Sequence, residues 1–353
     1  MKNSEYPLLA ICIPTHNGGS KLIRSVENLL KCDDSRFIVH INDNVSSDDT
    51  IQNLQYLAKK DKRLVITSNE TNVPAYVNFN NILIKAKAKY LFILIDKETL
   101  KIDYLKQYLD YLENETPFFG YVCYHPAKNV SYEICPKGVE AIKKISHFGS
   151  THTTGFFYRS DLYLKENDEI LRITNGGNWW ITDIASLCLG FQYDGVLYYS
   201  PLNTFNYQAV LGGVSKSSFT KENLYFYGGQ RCVDYELFLK IVLYKDTSDL
   251  VIPIINELNL RYIELVSYYQ RCYFSDKQRC SHYGVKTRHV SYTEMIHWCK
   301  KIKKCLKMEC KKSNIHVSLI LFDYYAARSI LKAFLFSWPL LDKVVRKIIN
   351  IFR

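Results

Sequence analysis

The sequence lacks the features of a membrane-spanning, secreted or disordered chain. It contains no uninterrupted apolar run of about 18 residues, the length that a spanning helix needs. Its first residues lack the apolar core of a signal peptide. Glycine and proline number only 15 and 9, whereas 14% of residues are aromatic, which excludes disorder as the main state. With 47% hydrophobic residues, the chain of 353 residues can bury a large core.

Paired cysteines are also missing. The 11 cysteines include no C-x-x-C pair, and their odd number and scattered positions are typical of reduced thiols in a cytosol. Cys299, Cys305 and Cys310 cluster on a lysine-rich stretch, but their spacing matches no common zinc pattern. We therefore expect a cytosolic protein without a disulfide scaffold.

Four widespread site motifs are absent as well. No G-x-G-x-x-G follows the first apolar run, so a dinucleotide fingerprint is missing. The motifs G-x-x-x-x-G-K-[ST], H-E-x-x-H and G-x-S-x-G do not occur either. These absences argue against a P-loop nucleotidase, a zinc protease of the common type and an α/β-hydrolase.

Charge is unevenly distributed along the chain. The formal net charge is +11, and residues 286–353 alone contain 15 Lys and Arg against 4 Asp and Glu. Residues 1–285 therefore carry equal numbers of both signs. The sequence predicts an electrically balanced body followed by a basic C-terminal segment.

Strand-like apolar runs alternate with helical patterns through the first hundred residues. This order, β-α-β-α-β-α-β, predicts a mainly parallel α/β sheet. Ligands of such sheets bind beyond the carboxyl ends of the strands, where polar loops occur at residues 14–19, 42–49 and 96–99. The predicted strands are Leu8–Ile13, Phe37–Ile41, Leu64–Thr67 and Tyr90–Ile95, and the predicted helices are Leu22–Leu30, Thr50–Lys60 and Asn78–Ala88.

The remaining sequence predicts fewer regular elements. We expect a domain over residues 1–215 and a mainly helical, basic region over residues 216–353. The predicted elements are strands at 118–124 and 154–158, a helix at 179–189, extended segments at 192–200 and 202–210, a Gly/Ser-rich loop at 211–231 and helices from residue 233 onward.

The loop after the fourth predicted strand contains two carboxylates, in Asp96-Lys97-Glu98. Such a pair can hold Mg²⁺ or Mn²⁺ against a diphosphate, because hard cations prefer oxygen ligands. The cation would then stabilise a departing nucleotide diphosphate. The alternative is a charged loop with a local contact between Asp96 and Lys97.

Taken together, the N-terminal motifs resemble glycosyltransferase family 2, the inverting nucleotide-sugar transferases of GT-A fold found in bacterial surface-polysaccharide synthesis. The resemblance covers residues 7–105 well, 145–210 loosely and the C-terminal third hardly at all. It implies that residues 1–215 are a catalytic domain, with a nucleotide half at 1–100 and an acceptor half at 101–215. It is carried by Ile13-Pro-Thr-His-Asn17, Asn42-Asp-Asn-Val-Ser-Ser-Asp-Asp-Thr50, Asn72, Asn78 and residues 90–100.

The resemblance implies roles for individual residues. Asp43 would accept a hydrogen bond from the base, which suits an N–H donor such as that of uracil. Asp96 and Glu98 would hold the metal. His16 could instead cap the next helix. The implied nucleotide-sugar ligands are Pro14, Thr15, His16, Asn17, Asp43, Asn78 and Asp96.

Two departures from the family pattern stand out. The family's metal motif is usually Asp-x-Asp, often within a run of acids, whereas Lys97 here separates Asp96 from a glutamate. Lys97 could contact the diphosphate and lower the metal requirement. The family often has Asn-x-Gly before the third helix, where this chain has Asn72-Val73-Pro74.

The expected acceptor side contains Asp183, the only carboxylate of the stretch 176–187. An inverting transfer needs a general base for the acceptor hydroxyl, and the resemblance implies Asp183 in this role. The alternative is a charge at a helix N-terminus. Weaker candidates for acceptor or diphosphate contacts are His147, His152, Trp179 and Trp180, together with Arg231 on a flexible loop over the donor.

The basic C-terminal segment ends in an amphipathic stretch, residues 340–353, with apolar side chains on one face and Lys and Arg opposite. Helices of this kind lie in membrane interfaces and are attracted to anionic lipid. A core helix and a homodimer interface are the alternatives. Nucleic-acid binding is disfavoured, because no nucleic-acid motif accompanies the lysines.

The sequence thus predicts an inverting glycosyltransferase that moves a sugar from a nucleotide-diphosphate donor, with a UDP-sugar favoured, to a glycan or lipid-linked glycan. We expect it in bacterial polysaccharide, capsule or lipooligosaccharide synthesis, peripheral on the inner face of the cell membrane. The alternative is a non-catalytic binding module of the same fold that docks through its basic tail.

Overall fold

The computed structural model describes residues 6–125, 130–146, 148, 153–173, 181–203, 227–245, 249–282 and 284–336. The chain forms two compact units, Met1–Ala209 and Val210–Arg353. The predicted domain boundary at residue 215 lies in the stretch 204–226, outside the described residues.

The first unit is an α/β body. Its strands are β1 (Leu9–Thr15), β2 (Phe37–Asp43), β3 (Leu64–Ser68), β4 (Tyr90–Ile93), β5 (Phe119–Tyr124), β6 (Ser131–Cys135), β7 (Phe156–Arg159) and β8 (Gly195–Ser200). Its helices are α1 (Gly19–Leu30), α2 (Thr50–Lys60), α3 (Ala75–Lys85), α4 (Leu105–Glu115), α5 (Val139–Ala141), α6 (Ser160–Ile173) and α7 (Ile181–Gly190). A 3₁₀ turn precedes α4, and a π-helical turn, Ile142–Ser146, continues α5.

All eight strands form one sheet in the order β3-β2-β1-β4-β7-β5-β8-β6. The pairs of β1 with β2 and β4, and of β2 with β3, are parallel, as the alternating sequence pattern predicts. Beyond β4 the sheet is mixed, because β7 runs antiparallel to both β4 and β5, and β6 runs antiparallel to β8. The predicted mainly parallel α/β fold is therefore confirmed, with antiparallel strands added in its second half.

The core forms because the central strand is apolar along its length and helices cover it. Every residue of β1 is buried. On α1, Leu22, Val26 and Leu29 recur at helical spacing and are fully buried in the same cluster as the β1 side chains. Complete burial of such a side chain contributes about 1.5–3 kcal/mol, so this stripe is a main stabilising contact between α1 and the sheet.

Several elements of the first unit have no counterpart in the sequence prediction. These are α4, α5, β6 and α6. The edge strand β6 is difficult to predict because Tyr132 and Ile134 are 44% and 59% exposed, so its sequence shows no buried face. The extended segment expected at 202–210 is described only as far as Asn203, which forms a single bridge with Leu100.

The second unit is helical where it is described. Its helices are α8 (Gly228–Lys245), α9 (Val251–Glu264), α10 (Gln270–Ser275), α11 (Lys277–His282), α12 (Tyr292–Lys312) and α13 (Leu319–Phe336), with a π-helical turn, Leu265–Tyr269, between α9 and α10. The mainly helical C-terminal region is thus confirmed. The prediction of a loop over residues 211–231 was wrong at its C-terminal end, because α8 begins at Gly228.

No helix in the described part of the chain is both long enough and apolar enough to traverse a bilayer. The 11 cysteines, all of which lie in described segments, form no disulfide.

Candidate functional site

Three parallel strands end together at one edge of the sheet. Thr15 at the end of β1 is opposite Asp43 at the end of β2. The pairing of β1 with β4 stops at Cys12 and Ile93, so β1 continues past its last β4 partner through Pro14 to Thr15. The loops after β1, β2 and β4 therefore meet where the sheet begins to open, which is where α/β sheets bind their ligands.

The opening between β1 and β4 is bridged by side chains. The Thr15 hydroxyl donates to Asp96 Oδ2 at 2.9 Å. Burial raises the pKa of the Asp96 carboxyl and Glu98 raises it further, whereas Lys97 and hydrogen bonds from Thr15 and the His16 N–H lower it. Asp96 is thus a half-buried carboxylate that a nearby positive charge would hold in its ionised form.

His16 and Asn17 connect the loop after β1 to the loop after β2. His16 Nδ1 donates to the Asn44 carbonyl at 2.9 Å, and the Asn17 amide nitrogen lies 3.3 Å from His16 Nε2. Asn17 Oδ1 accepts from the Ser47 N–H at 2.8 Å. His16 thus bonds to Asn44 and Asn17, whereas the N–H of Gly19 in the first turn of α1 donates to the Thr50 hydroxyl at 2.9 Å, so these contacts do not give His16 the alternative role of helix cap.

Asp43 fixes the loop that follows β2. Its carboxylate accepts from the Ser46 N–H at 3.0 Å and from the Ser46 hydroxyl, and Asp43 is 4% exposed. Val45, inside this turn, has φ of 60°, which is rare for a β-branched residue because of steric crowding. Backbone strain of this kind is retained where surrounding contacts enforce it, and it concentrates at functional sites.

A network of asparagine amides underlies the two loops. Asn78 Oδ1 accepts from Asn42 at 2.6 Å and from Asn69 at 2.9 Å, while its Nδ2 donates to the Thr15 and Asn42 carbonyls, both at 3.4 Å. Asn44 Oδ1 accepts from Asn69 and from the Val73 N–H, both at 2.9 Å. Because all four hydrogen-bonding positions of the Asn78 amide are used within the protein, this side chain holds the strand ends together.

The loop after β4 is anchored from two directions. The Ile95 N–H donates to the Thr154 hydroxyl at 2.9 Å, and the Ser25 hydroxyl donates to the Glu98 carbonyl at 2.7 Å. Glu98 is 4% exposed, so its carboxylate is turned inward. Gly155, next to Thr154, has φ of 110°, and a side chain there would approach the Val122 carbonyl to 2.8 Å. Glycine is therefore required beside this anchor.

The carboxylates present fit a weakly chelated cation. Among the described residues, no group of three or more His, Cys, Asp and Glu is arranged to hold a metal ion. Asp96, half-buried and already desolvated, is a suitable oxygen ligand, whereas the Glu98 carboxylate, two residues on, is buried and would have to turn toward the cation. Mg²⁺ is commonly held by one or two carboxylates with phosphate and water completing its shell, and this donor set meets that description.

Asp183 lies in the first turn of α7 and is 1% exposed. The Thr182 hydroxyl donates to its Oδ2 at 3.3 Å, and the Ser146 hydroxyl donates to its backbone carbonyl at 2.9 Å. Burial raises the pKa of Tyr121, and the carboxylates of Glu98 and Asp183 both add to this effect. The buried Tyr121 thus experiences the negative charge of both carboxylates.

Of the weaker candidates, only Arg231 lies among the described residues. His147, His152, Trp179 and Trp180 lie outside the described residues. Arg231 is 2% exposed in the first turn of α8 and pairs with Asp234 at 2.9 Å, so the expectation that it lies on a flexible loop was wrong.

Sequence reasoning missed Tyr121 and most of the amide network. Tyr121 is one of 28 tyrosines and follows no recognisable motif. The asparagines did offer a signal, since Asn42, Asn44, Asn69, Asn72 and Asn78 all lie in or beside the predicted loops. Their pairing depends on strand register and could not be derived from spacing alone.

The mixed sheet, with a parallel half and a polar site at its carboxyl edge, defines an α/β protein of GT-A type. Residues 10–161 match the family model described as "Glycosyl transferase family 2". Over these residues, a little under half of the chain, the protein is similar to glycosyltransferase family 2. No curated protein matches the chain in sequence.

Solved structures share this architecture. The crystal structure of S. aureus TarS is 15% identical, with a TM-score of 0.55, and the alignment covers 92% of this chain but 54% of TarS. The chain thus spans about half the length of that protein. S. aureus TarS 1–349 in complex with UDP-GlcNAc is 15% identical, with a TM-score of 0.50 over 92% of this chain and 89% of that one. At this identity the likeness defines the fold.

Proposed function

We propose that the protein is a glycosyltransferase that moves a sugar from a nucleotide-diphosphate donor to a glycan acceptor with inversion. One observation carries the proposal. Thr15 bonds to Asp96 and lies opposite Asp43 at the carboxyl edge of parallel strands, within the residues that match the family 2 model. This edge combines acceptors for a base with a carboxylate for a diphosphate-bound cation.

The donor would lie across the loops after β1 and β2. Asp43 keeps acceptor capacity at Oδ2 for a base N–H, and His16, Asn17 and Pro14 would form the adjoining wall. Asn78 then acts by positioning, because its amide joins the ends of β1 and β2. A UDP-sugar is favoured, since a carboxylate acceptor suits uracil and TarS 1–349, which shares the fold, holds UDP-GlcNAc.

A divalent cation, Mg²⁺ or Mn²⁺, would be held by Asp96, with Glu98 as the second carboxylate. Bound there, it would neutralise charge on the departing diphosphate. Lys97, exposed to an intermediate degree in the same loop, could contribute a second positive charge toward the phosphates. Thr15 would keep the Asp96 carboxylate in place for this contact.

Asp183 would act as the general base. An inverting transfer needs a base on the face opposite the leaving group, and Asp183, buried in the first turn of α7, is the carboxylate that would take this role. Its buried, hydrogen-bonded carboxylate is held in one position, which is what proton transfer from an acceptor hydroxyl requires. Trp179 and Trp180 precede α7 in sequence and would contact the sugar.

The acceptor would be a glycan or lipid-linked glycan of a bacterial surface polysaccharide, capsule or lipooligosaccharide. The enzyme would then work in the cytoplasm, peripheral to the inner face of the cell membrane. The alternative, a non-catalytic module of the same fold, stays open because Lys97 interrupts the acidic motif.

Release of nucleoside diphosphate from a panel of UDP-, GDP- and TDP-sugars tests the proposal. Slow hydrolysis of at least one donor is expected even without the acceptor, and it should be accelerated by a glycan extract. Binding of a donor without release under either condition would favour the binding module. Failure to bind any donor would contradict both.

A further inference from the structure

Helix α12 carries a row of unpaired lysines. Lys300, Lys304, Lys307 and Lys311 are spaced by four, three and four residues, so they lie on one face over about 16 Å of helix. All four are exposed, and none forms an ion pair with a described residue. In contrast, Lys303 pairs with Asp323 and Lys312 with Glu309.

This lysine face is not needed to hold α12 in its unit. The opposite face buries Met295, Trp298, Ile302 and Leu306, and Trp298 packs beside Gly228 at the start of α8. Like charges three and four residues apart destabilise a helix. A row of them without acidic partners among the described residues therefore forms a positive face that an external anion would stabilise.

Helix α13 carries an apolar stripe. Ile320, Tyr324 and Leu331 share one face and are 83%, 58% and 55% exposed. The buried face of the same helix is a different one, where Ser329 meets Ser267 with their hydroxyl oxygens 2.6 Å apart. Large side chains are therefore held in solvent by the packing of α13.

The lysine face and the apolar stripe adjoin. Lys303 Nζ bonds to Asp323 at 2.6 Å and joins α12 to α13. On the helix surface, Lys303 neighbours Lys300 and Lys307, while Asp323 neighbours Ile320. The ion pair thus forms the border between the two faces.

A cavity of about 240 Å³ extends the same surface at the turn between the helices. Lys307 and Lys311 lie at its rim, and Leu306, Ile315 and Leu319 contribute apolar walls. Its lining therefore repeats the combination of amines and apolar side chains.

We propose that this surface of α12 and α13 docks on a bilayer of anionic phospholipid. A linear polyanion would satisfy the lysines but not the exposed Ile320, Tyr324 and Leu331, whereas an anionic bilayer accepts both amines and apolar side chains. The surface differs from the amphipathic stretch 340–353, which lies outside the described residues. The proposal does not depend on the transfer reaction.

Vesicle binding tests the contribution of the lysine face. Full-length wild type and a variant with Lys300, Lys304, Lys307 and Lys311 all replaced by Gln are sedimented with vesicles of phosphatidylcholine, with and without phosphatidylglycerol. The partition coefficient on anionic vesicles should fall about 600-fold in the variant, because each of the four lysines near such a surface contributes about fivefold. The control, which replaces the exposed Lys59, Lys62, Lys106 and Lys165 of the first unit by Gln, loses the same charge and should bind like wild type.

Several outcomes would overturn the assignment. One is failure of the wild-type protein to bind anionic vesicles. Another is equal binding by the α12 lysine variant and the control lysine variant. Should the fourfold variant unfold, Lys304→Gln and Lys307→Gln singly should each lower binding about fivefold. The vesicle assay contains no donor or acceptor. Its outcome is therefore independent of the outcome of the transfer assay.

A second arm tests the apolar stripe. Joint replacement of Ile320, Tyr324 and Leu331 by Ser should weaken vesicle binding, whereas Ser at Tyr56, Ile134 and Leu164, which are exposed in the first unit, should not. Unchanged binding of the α13 variant would make the surface a polyanion site. Light scattering gives the oligomeric state. If the wild type is a dimer and this variant is a monomer, the stripe is a subunit interface. Either result would contradict membrane docking.

Discussion

The Thr15 hydroxyl donates a hydrogen bond of 2.9 Å to the Asp96 carboxylate, although 81 positions separate the two residues in the chain. The bond spans the gap that opens once β1 and β4 cease to pair at Cys12 and Ile93. It fixes one carboxylate oxygen at the site edge and leaves the group free to contact a cation. The donor site thus depends on a threonine whose role is to orient an acid.

Replacing Thr15 with Val should lower donor affinity about tenfold or more, because a hydrogen bond to a charged group contributes about 1.5–3 kcal/mol. Thr15→Ser keeps the hydroxyl and should bind the donor nearly as wild type does. Equilibrium dialysis with a labelled nucleotide sugar gives both affinities. Equal affinities for the Val and Ser variants would remove Thr15 from the site.

Asp183→Asn should reduce transfer by about 10²–10⁴-fold, since it removes the proposed base, while donor affinity stays unchanged. The matched control is Asp161→Asn, which removes an exposed acid from the first turn of α6. Initial rates and donor binding measured on both variants separate catalysis from helix stability. Wild-type turnover by Asp183→Asn would disprove the assignment.

His40 should make folding stability depend on pH. Burial, aided by Lys85, lowers the pKa of His40 from 6.5 to about 4. Between these values the unfolded chain binds the extra proton, so the free energy of unfolding falls as pH drops from 6.5 toward 4 and is unaffected above 6.5. The full loss is about 3 kcal/mol.

Urea unfolding of His40→Gln across that pH range should show a shallower slope than wild type. His316→Gln changes an exposed histidine and serves as the control. An identical slope for wild type and His40→Gln would mean that His40 titrates normally in the folded protein.

Val45→Asn should stabilise the fold by about 1 kcal/mol. Val45 has φ of 60°, and asparagine tolerates this region better than a β-branched residue does. Little packing is lost, because Val45 is 42% exposed. Val65→Asn, in strand β3, should instead destabilise the fold. Thermal unfolding gives the melting temperatures of both variants. A lower melting temperature for Val45→Asn would show that the turn is not strained.

The parallel half of the fold could be predicted because its strands are short, continuous apolar runs. β1 is buried along its whole length, and α1 shows its buried stripe at helical spacing. The edge strand β6 could not be predicted, since its exposed Tyr132 and Ile134 resemble neither a buried strand nor a helix face.

The site was predictable to a similar degree. Asp43 and Asp96 follow apolar runs directly, so topology alone brings them to one edge. The bond between Thr15 and Asp96 and the pairing of Asn42 with Asn78 depend on register and loop path. Those contacts join residues far apart in the chain, and no local spacing encodes them.

The most direct test of the donor site is calorimetric titration of a nucleotide sugar, with Mn²⁺ present, into wild type and Asp96→Asn. Asp103→Asn, a change at an exposed residue of the following turn, provides the matched control. The account predicts that Asp96→Asn loses at least about tenfold in affinity while Asp103→Asn binds like wild type. Donor binding by Asp96→Asn with wild-type affinity would contradict it.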